Sequence, residues 1–292
     1  MCEARYWPAW YAGVVKQLIP KIPVGQWVEW LVDWATINLA PIFGVIKIII
    51  KYLVDNLSGA FLFLPPVVFI ILFFLLAWYI AGLRVAIGTG VGLFMLHNLD
   101  IWEPSMHTLA MVISATIVAL FVGIPMGIWT ARSNTASRII MPLLDFMQTM
   151  PPFVYLIPAV FFFGIGTVPG LIATVVFAMP PAIRLTGLGI RQVPVELVEA
   201  AEAFGSTQYQ KLVKVQLPVA MPTIMAGVNQ CIMLSLSMVV IAAMIGASGL
   251  GKEVLRGIQR LDVSTGFEGG LAIVIIAIIL DRITQNLSRK SN

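Results

Sequence analysis

The chain has 292 residues, 59% of them hydrophobic and only 11% charged, where soluble domains carry about 25% charged residues. So little charge cannot cover a water-facing surface, which excludes an ordinary soluble enzyme and puts the chain in lipid. The net charge of +4 is too small for the dense basic patch that nucleic-acid binding requires, and suits cationic loops beside anionic headgroups.

Residues 1–60 read as a tail distinct from the rest. The opening "MCEARYWPAWY" lacks the basic start and apolar core of a cleavable signal peptide. Trp7, Trp10, Trp27, Trp30 and Trp34 cluster as they do at a membrane–water interface. Lys47, Lys51 and Asp55 share one helical face, with Ile46, Ile49, Ile50, Leu53 and Leu57 on others. That pattern predicts an amphipathic helix lying on the bilayer. The rival is a true span over 42–60, its lysines reaching out to the interface.

Residues 61–292 hold the spans. A span needs about 20 mostly apolar residues, and seven runs are candidates: 61–81, 84–99, 107–131, 143–165, 168–190, 221–246 and 269–286. The second is short and carries Gly88, Gly90 and Gly92. Pro151, Pro152 and Pro158 interrupt the fourth run, and Pro180 and Pro181 the fifth. Lipid cannot satisfy the freed carbonyls, so these kinks should face other helices or a cavity. Simple tolerance of proline near a helix end is the alternative for the Pro180–Pro181 pair. The two cysteines, Cys2 in the tail and Cys231 inside an apolar run, offer neither a disulfide nor a metal spacing.

Short cytoplasmic loops favour Lys and Arg. With seven spans, Arg84, Arg132, Arg138, Arg184, Arg191, Lys211, Lys214, Arg282, Arg289 and Lys290 fall on one face, predicted to be the cytoplasm. The N-terminus then lies outside and the C-terminus inside. Cations in the tail and Lys252, Arg256 and Arg260 in the 246–268 loop run against that rule.

One long polar stretch separates the fifth and sixth spans: "QVPVELVEAAEAFGSTQYQKLVKVQLP", residues 192–218. Glu196, Glu199 and Glu202 recur at helical spacing. Ala200, Ala201 and Ala203 offer a small-residue surface, and Gly205 can end a helix. A second helical stretch is expected over 207–217. The segment therefore reads as a cytoplasmic helix–turn–helix with a docking face, against the plainer reading of a solvated connector.

Beyond the sixth span, "GASGLGKE" at 246–253 comes close to a phosphate-binding loop. Such a loop needs a Ser or Thr after its Lys to reach Mg²⁺, and a buried strand before it. Glu253 follows Lys252 here, and a long apolar run precedes the glycines. A glycine-rich turn ending a membrane helix is the expectation, with ATP bound on another chain.

Glu199-Ala200-Ala201, three residues, Gly205, nine residues, Val215, one residue, Leu217-Pro218 resembles the EAA signature of ABC importer membrane subunits, with Val215 where that family usually has Ile. The stretches "PLLDFMQTMPPFVYLIPAVFFFGIGTVPG", "FAMPPAIRLTGLGIRQVP", "QLPVAMPTIMAGVNQ" and "SLSMVVIAAMIGASGLG" are similar to the permease of glycine betaine/proline betaine ABC importers. The resemblance spans about residues 60–286. It implies an all-α polytopic transmembrane bundle of the type I ABC importer permease kind, in a bacterial cytoplasmic (inner) membrane.

The resemblance further implies a homodimer of permeases, two cytoplasmic ABC ATPase subunits that bind the ATP, and an extracytoplasmic substrate-binding protein. The remaining partners are membrane lipid and a small onium solute: glycine betaine, proline betaine, choline, carnitine, trimethylamine oxide or dimethylsulfoniopropionate. No cofactor, metal or catalytic residue is implied. Glu199, Ala200, Ala201, Gly205, Leu217 and Pro218 would couple to the ATPase.

Polar groups inside apolar runs tend to face a bundle interior or cavity. Gln148, Tyr155, Asn229, Met233 and Ser237 are the candidates for a translocation path, alongside Ser235. Hydrogen bonds between helices are the alternative for the two serines, and core filling is the alternative for the methionines. Two other functions remain to be weighed. An ion-gradient-driven secondary transporter would need intramembrane carboxylates, and Asp145 and Asp281 are the only acidic residues in or beside spans. An ABC permease for another small solute would share the EAA spacing.

Overall fold

The computed structural model describes residues 23–290, and their regular structure is all helical. Trp7, Trp10 and Cys2 lie outside the described residues. The chain divides into two compact units, 1–42 and 43–292. In the first, α1 (Val24–Asn38) exposes Trp27, Trp30 and Trp34.

α2 (Ala40–Phe63) has three kinds of surface. Ile50 and Val54 are buried and pack with Met111, Ala115, Phe163 and Val168. Phe43 stacks on Phe162 at 4.6 Å. Lys47, Lys51 and Asp55 are exposed, and so are the apolar Ile48, Ile49 and Tyr52. The polar stripe expected from the sequence thus runs between two apolar surfaces, one on the protein and one facing away from it.

α3 (Pro66–Ala81) and α4 (Leu83–Asn98) form a tight pair of 16 residues each. At ~1.5 Å per residue each reaches about 24 Å, short of the ~30 Å hydrocarbon core. The expected span 61–81 therefore begins later, because Pro65 and Pro66 separate it from α2, and proline without an N–H starts a helix more readily than it continues one.

α5 (Trp102–Arg132), α8 (Thr167–Arg191) and α11 (Leu217–Ala243) form the centre. Small residues let α8 approach both neighbours. A Cβ placed at Gly127 would stand 2.5 Å from Thr186 Cβ, and one at Gly227 would stand 3.2 Å from the Pro181 carbonyl oxygen. This is how membrane helices associate, since lipid gives no hydrophobic drive and close contact must supply the attraction. α8 runs on through Pro180 and Pro181, both buried in the bundle.

The predicted span 143–165 does not exist as one helix. α6 (Asn134–Thr149) and α7 (Pro152–Phe163) meet at a 100° bend. Met150 and Pro151 each precede a proline, which pushes a residue out of the α region, and both have extended backbone with ψ of 134° and 137°.

α9 (Val195–Ala203) and α10 (Gln208–Lys211) follow, then α12 (Leu250–Arg260) and α13 (Val263–Lys290). Among the described residues, four single helices are long and apolar enough to cross a membrane, and six if each of two broken helix pairs counts as one span. Of the seven runs read from the sequence, 61–81 and 84–99 fall outside that count, because their helices are only 16 residues long.

Candidate functional site

α9 begins after Pro194, whose lack of an N–H suits a helix start. Val198 packs onto Ile190, Val193, Leu212, Ala220 and Ile224, and Ala201 is buried. The outward face carries Glu196, Glu199 and Ala200, and Phe204 beyond them is 91% exposed. Of the small residues expected to form a docking face, Ala200 and Ala203 are exposed, whereas Ala201 packs against its own chain.

The helix stops in a Schellman motif. The Ser206 amide donates to the Ala201 carbonyl at 3.0 Å and the Gly205 amide to Glu202 at 2.9 Å. Those two bonds require a left-handed residue at Gly205, and its φ is +76°. A Cβ there would meet nothing within 4 Å in this chain, so within the chain itself the demand for glycine comes from backbone conformation.

After the bend, Thr207 and Gln210 form a reciprocal capping box that starts α10. The expected second short helix over 207–217 is a correction. α10 passes through a π-helical turn at Leu212–Gln216 into α11, so Gln208–Ala243 is one continuous rod of 36 residues. Pro218 accounts for the wide turn: its ring would clash with the Lys214 carbonyl in a regular α-helix, and it has no N–H to donate. Leu217 is half-buried against the Ile190–Ile224 cluster, and Pro218 is exposed.

Cations brace this segment, its junction with the bundle and the helix ends beneath it. Lys211 is paired with the Glu202 carboxylate. Arg132, closing α5, donates to the Gln208 carbonyl at 3.0 Å, and Arg191, closing α8, donates to the Thr130 carbonyl at 2.6 Å. These three side chains line a cavity of about 580 Å³ under α9. In the sequence the arginines read only as topology markers. Their second role needs the pairing of two helix ends, which no local pattern reports.

The candidate path residues are divided. Asn229 and Met233 line one groove of about 520 Å³ with Pro222, Gln230 and Gln285. Ser237 is exposed one turn further along α11 and back-bonds to the Met233 carbonyl at 3.0 Å. Ser235 is buried and bonds the Cys231 carbonyl within its own helix. Gln148 is exposed on α6. Tyr155 is buried against Ala173 and Met238, and its hydroxyl donates to the Met147 carbonyl across the α6–α7 bend. It braces the break and does not line the groove. The sequence reading missed Gln230 and Gln285, which lie near helix surfaces where polar residues attract no notice.

The two carboxylates beside the spans are both engaged. Asp145 is bonded to Arg184 at 2.6 Å. Asp281 accepts from Asn229 at 2.8 Å and from Gln285 at 2.6 Å.

The glycines of 246–253 act in packing. The Leu250 amide donates to Thr108 Oγ1 at 2.8 Å. A Cβ at Gly249, whose φ is +119°, would stand 2.5 Å from that hydroxyl, and one at Gly251 would stand 2.4 Å from the Val239 carbonyl. Glu253 pairs with Arg256 at 2.8 Å. Backbone seated this closely on α5 and α11 leaves no cradle for a phosphate.

Three comparisons bear on the site. Residues 123–292 match the family described as binding-protein-dependent transport system inner membrane component. The glycine betaine transport system permease protein of Bacillus subtilis (strain 168) is 50% identical over 93% of this chain and 96% of its own length. The glycine betaine/carnitine transport permease protein of Listeria monocytogenes is 53% identical over 94% and 98%. The glycine betaine/proline betaine transport system permease protein of Escherichia coli (strain K12) is 51% identical over 92% and 76%. Among solved structures, a chain of the inward-facing MetNI methionine ABC transporter superposes with a TM-score of 0.60 at 20% identity, over 66% of this chain and 96% of that one.

Proposed function

Because this chain belongs to the binding-protein-dependent transport system inner membrane components, we propose that it is the permease of an ABC importer for a quaternary-ammonium compatible solute, with glycine betaine as the first candidate. The relatives named for glycine betaine, carnitine and proline betaine support that solute class. In this reading ATP hydrolysis resides on a separate ATPase, and the part of this chain is transport.

The observation that carries the reading is the outward face of α9. Phe204, closing α9, is 91% exposed and Tyr209, on the adjoining α10, is 73% exposed, on a segment otherwise anchored by buried contacts and the Lys211–Glu202 pair. An isolated permease leaves those aromatics in water, and a groove on an ATPase would cover them. Force applied at α9 passes through Glu202–Lys211 and the continuous rod into α11, whose Asn229–Met233 face would then open or close the path.

In this reading two copies pair so that the α11 grooves face one passage, with α9 in the cytoplasm and the N-terminus outside. α2 lies along the outer interface, its charged stripe in the headgroups. A quaternary ammonium has no N–H to donate and is best recognised by aromatic faces. The groove offers amides and methionines instead. It suits transient passage, with selection assigned to an external binding protein.

The test is uptake of radiolabelled glycine betaine into proteoliposomes holding this chain, its ATPase and its binding protein. ATP-dependent uptake that is indifferent to ionophores supports the reading. Uptake that continues without ATP and collapses with the ion gradient overturns it.

A further inference from the structure

α4 and α13 enclose a second groove, away from α9 and from the Asn229 face. It has a volume of about 510 Å³ and is lined by Val85, Val91, Met95, Ile275, Ile278 and Ile279, with Arg84 and Arg282 at one end. Gly88 opens onto the groove, since a Cβ there would meet nothing within 4 Å. One turn deeper, Gly92 closes the wall, since a Cβ at that position would stand 2.8 Å from Ile275 Cγ2.

The two arginines set the chemistry. Both are exposed, and neither has an ion pair or a side-chain hydrogen bond among the described residues. Two guanidiniums lining one cavity repel each other unless an anion lies between them, and the planar fork of Arg suits a phosphate. The N-terminus of α4 adds to the attraction, because no side chain caps its free amides. Thr89 also lines the groove, 2% exposed, and its hydroxyl has no hydrogen-bond partner.

The dimensions fit one ligand class. From Arg84 to Met95 the groove wall rises about 16 Å at ~1.5 Å per residue, and one leaflet of a ~30 Å hydrocarbon core is about 15 Å deep. Thr89 sits about 7.5 Å in from Arg84, at the depth of a glycerol ester and well short of the chain ends.

We propose that this groove binds one phospholipid, its phosphate between Arg84 and Arg282, an ester carbonyl accepting from Thr89, and an acyl chain along Gly88, Met95 and Ile279. Cationic pockets between membrane helices that open into apolar grooves favour this class of ligand. With α9 in the cytoplasm, the Arg84–Arg282 end lies in the cytoplasmic leaflet. The lipid site itself does not depend on which solute is carried.

The experiment is native mass spectrometry of the full chain, purified with its co-purifying subunits from membranes in mild detergent, with phosphorus assayed per chain. The wild type should retain about one phospholipid per chain through washing. The double variant Arg84→Gln/Arg282→Gln and the groove-filling Gly88→Leu should each lower retention roughly tenfold, while Arg84→Lys/Arg282→Lys keeps part of it. The arginine variants change only exposed side chains, so their membrane yield should match wild type. Equal retention in every variant overturns the proposal. Loss in the arginine variant alone means a headgroup held without a chain in the groove, and also overturns it. Dissociation of paired chains by Gly88→Leu would assign the groove to a second copy.

Discussion

Lys211 and Glu202 face each other across the bend at Gly205, and the lysine side chain is only 10% exposed while the glutamate is 53% exposed. An ammonium that well covered needs its partner, and the partner fixes where α9 sits. Glu202→Ala should leave the charge unpaired and loosen α9 by on the order of 1–2 kcal/mol, less than the 3–5 kcal/mol of a fully buried pair because the glutamate is half in water. Hydrogen exchange of residues 195–206 should quicken accordingly. Lys211→Met added to Glu202→Ala should restore part of the protection, and faster exchange in the double variant would remove the pair from this role.

Gly205→Val should still reach the membrane, because no span depends on this loop. Its β-branched side chain cannot adopt a φ of +76° without strain, and a left-handed residue with a Cβ costs ~1–2 kcal/mol even when unbranched. Uptake should drop sharply, together with co-purification of the ATPase. Gly205→Asn, which tolerates left-handed backbone, should keep most of both. Equal losses in the two variants would mean that glycine is needed for close approach by the partner and not for its φ.

Asx capping in the loop between α12 and α13 gives a pH dependence. Thr265 hydroxyl and amide bonds to Asp262, with a further bond from the Ser264 amide, hold its carboxyl below the usual carboxylate range. A depressed folded-state pKa adds stability above the unfolded pKa, and that stability is lost as pH falls through the folded value. Asp262→Ala should flatten the acid limb of the thermal-melting profile by lowering the neutral plateau toward the acid value, where variant and wild type converge; the change should be small, because the site is open to water. An unchanged acid limb would remove the cap from the account.

Thr108→Val should deprive the Leu250 amide of its acceptor in a buried contact, at a cost of about 1–3 kcal/mol, read as a lower melting temperature in detergent. Lys252→Ala should leave melting unaltered. Neither variant should change nucleotide binding by the purified chain, since the 246–253 turn is packed on Thr108 and Val239. Saturable ATP binding to this chain alone, abolished by Lys252→Ala, would restore the phosphate-loop reading.

A cysteine replacing exposed Gln208, in a chain lacking Cys2 and Cys231, should be closed to an impermeant thiol reagent in whole cells and open to it in inside-out vesicles. Labelling from outside would invert the topology.

The parts of this fold that were legible in the sequence are those written in local chemistry. Apolar composition predicted the helical bundle, and the spacing from Glu199 to Pro218 located α9 and its glycine stop. The Thr207–Gln210 capping box is a four-residue signal that was available and passed over. Other features depend on events between segments. The 100° bend needed Met150 and Pro151 read as backbone restrictions and not as interruptions of an apolar run. The division of Tyr155 from Asn229 and Met233 could not be read at all, because polarity within a run does not say which neighbour a hydroxyl meets.

The wide turn at Leu212–Gln216 also fixes a phase. Rewinding those five residues as regular α-helix would rotate everything beyond them by roughly a quarter of a turn relative to Lys211. Asn229 and Met233 would then swing off the groove toward a different neighbour, although no residue had been inserted or removed. Pro218 forbids that rewinding, so an exposed proline at the start of α11 serves as a key that sets the azimuth of a face more than two turns away. Pro218→Ala would free the key, and its damage would show as altered accessibility at Met233 and not at the bend itself.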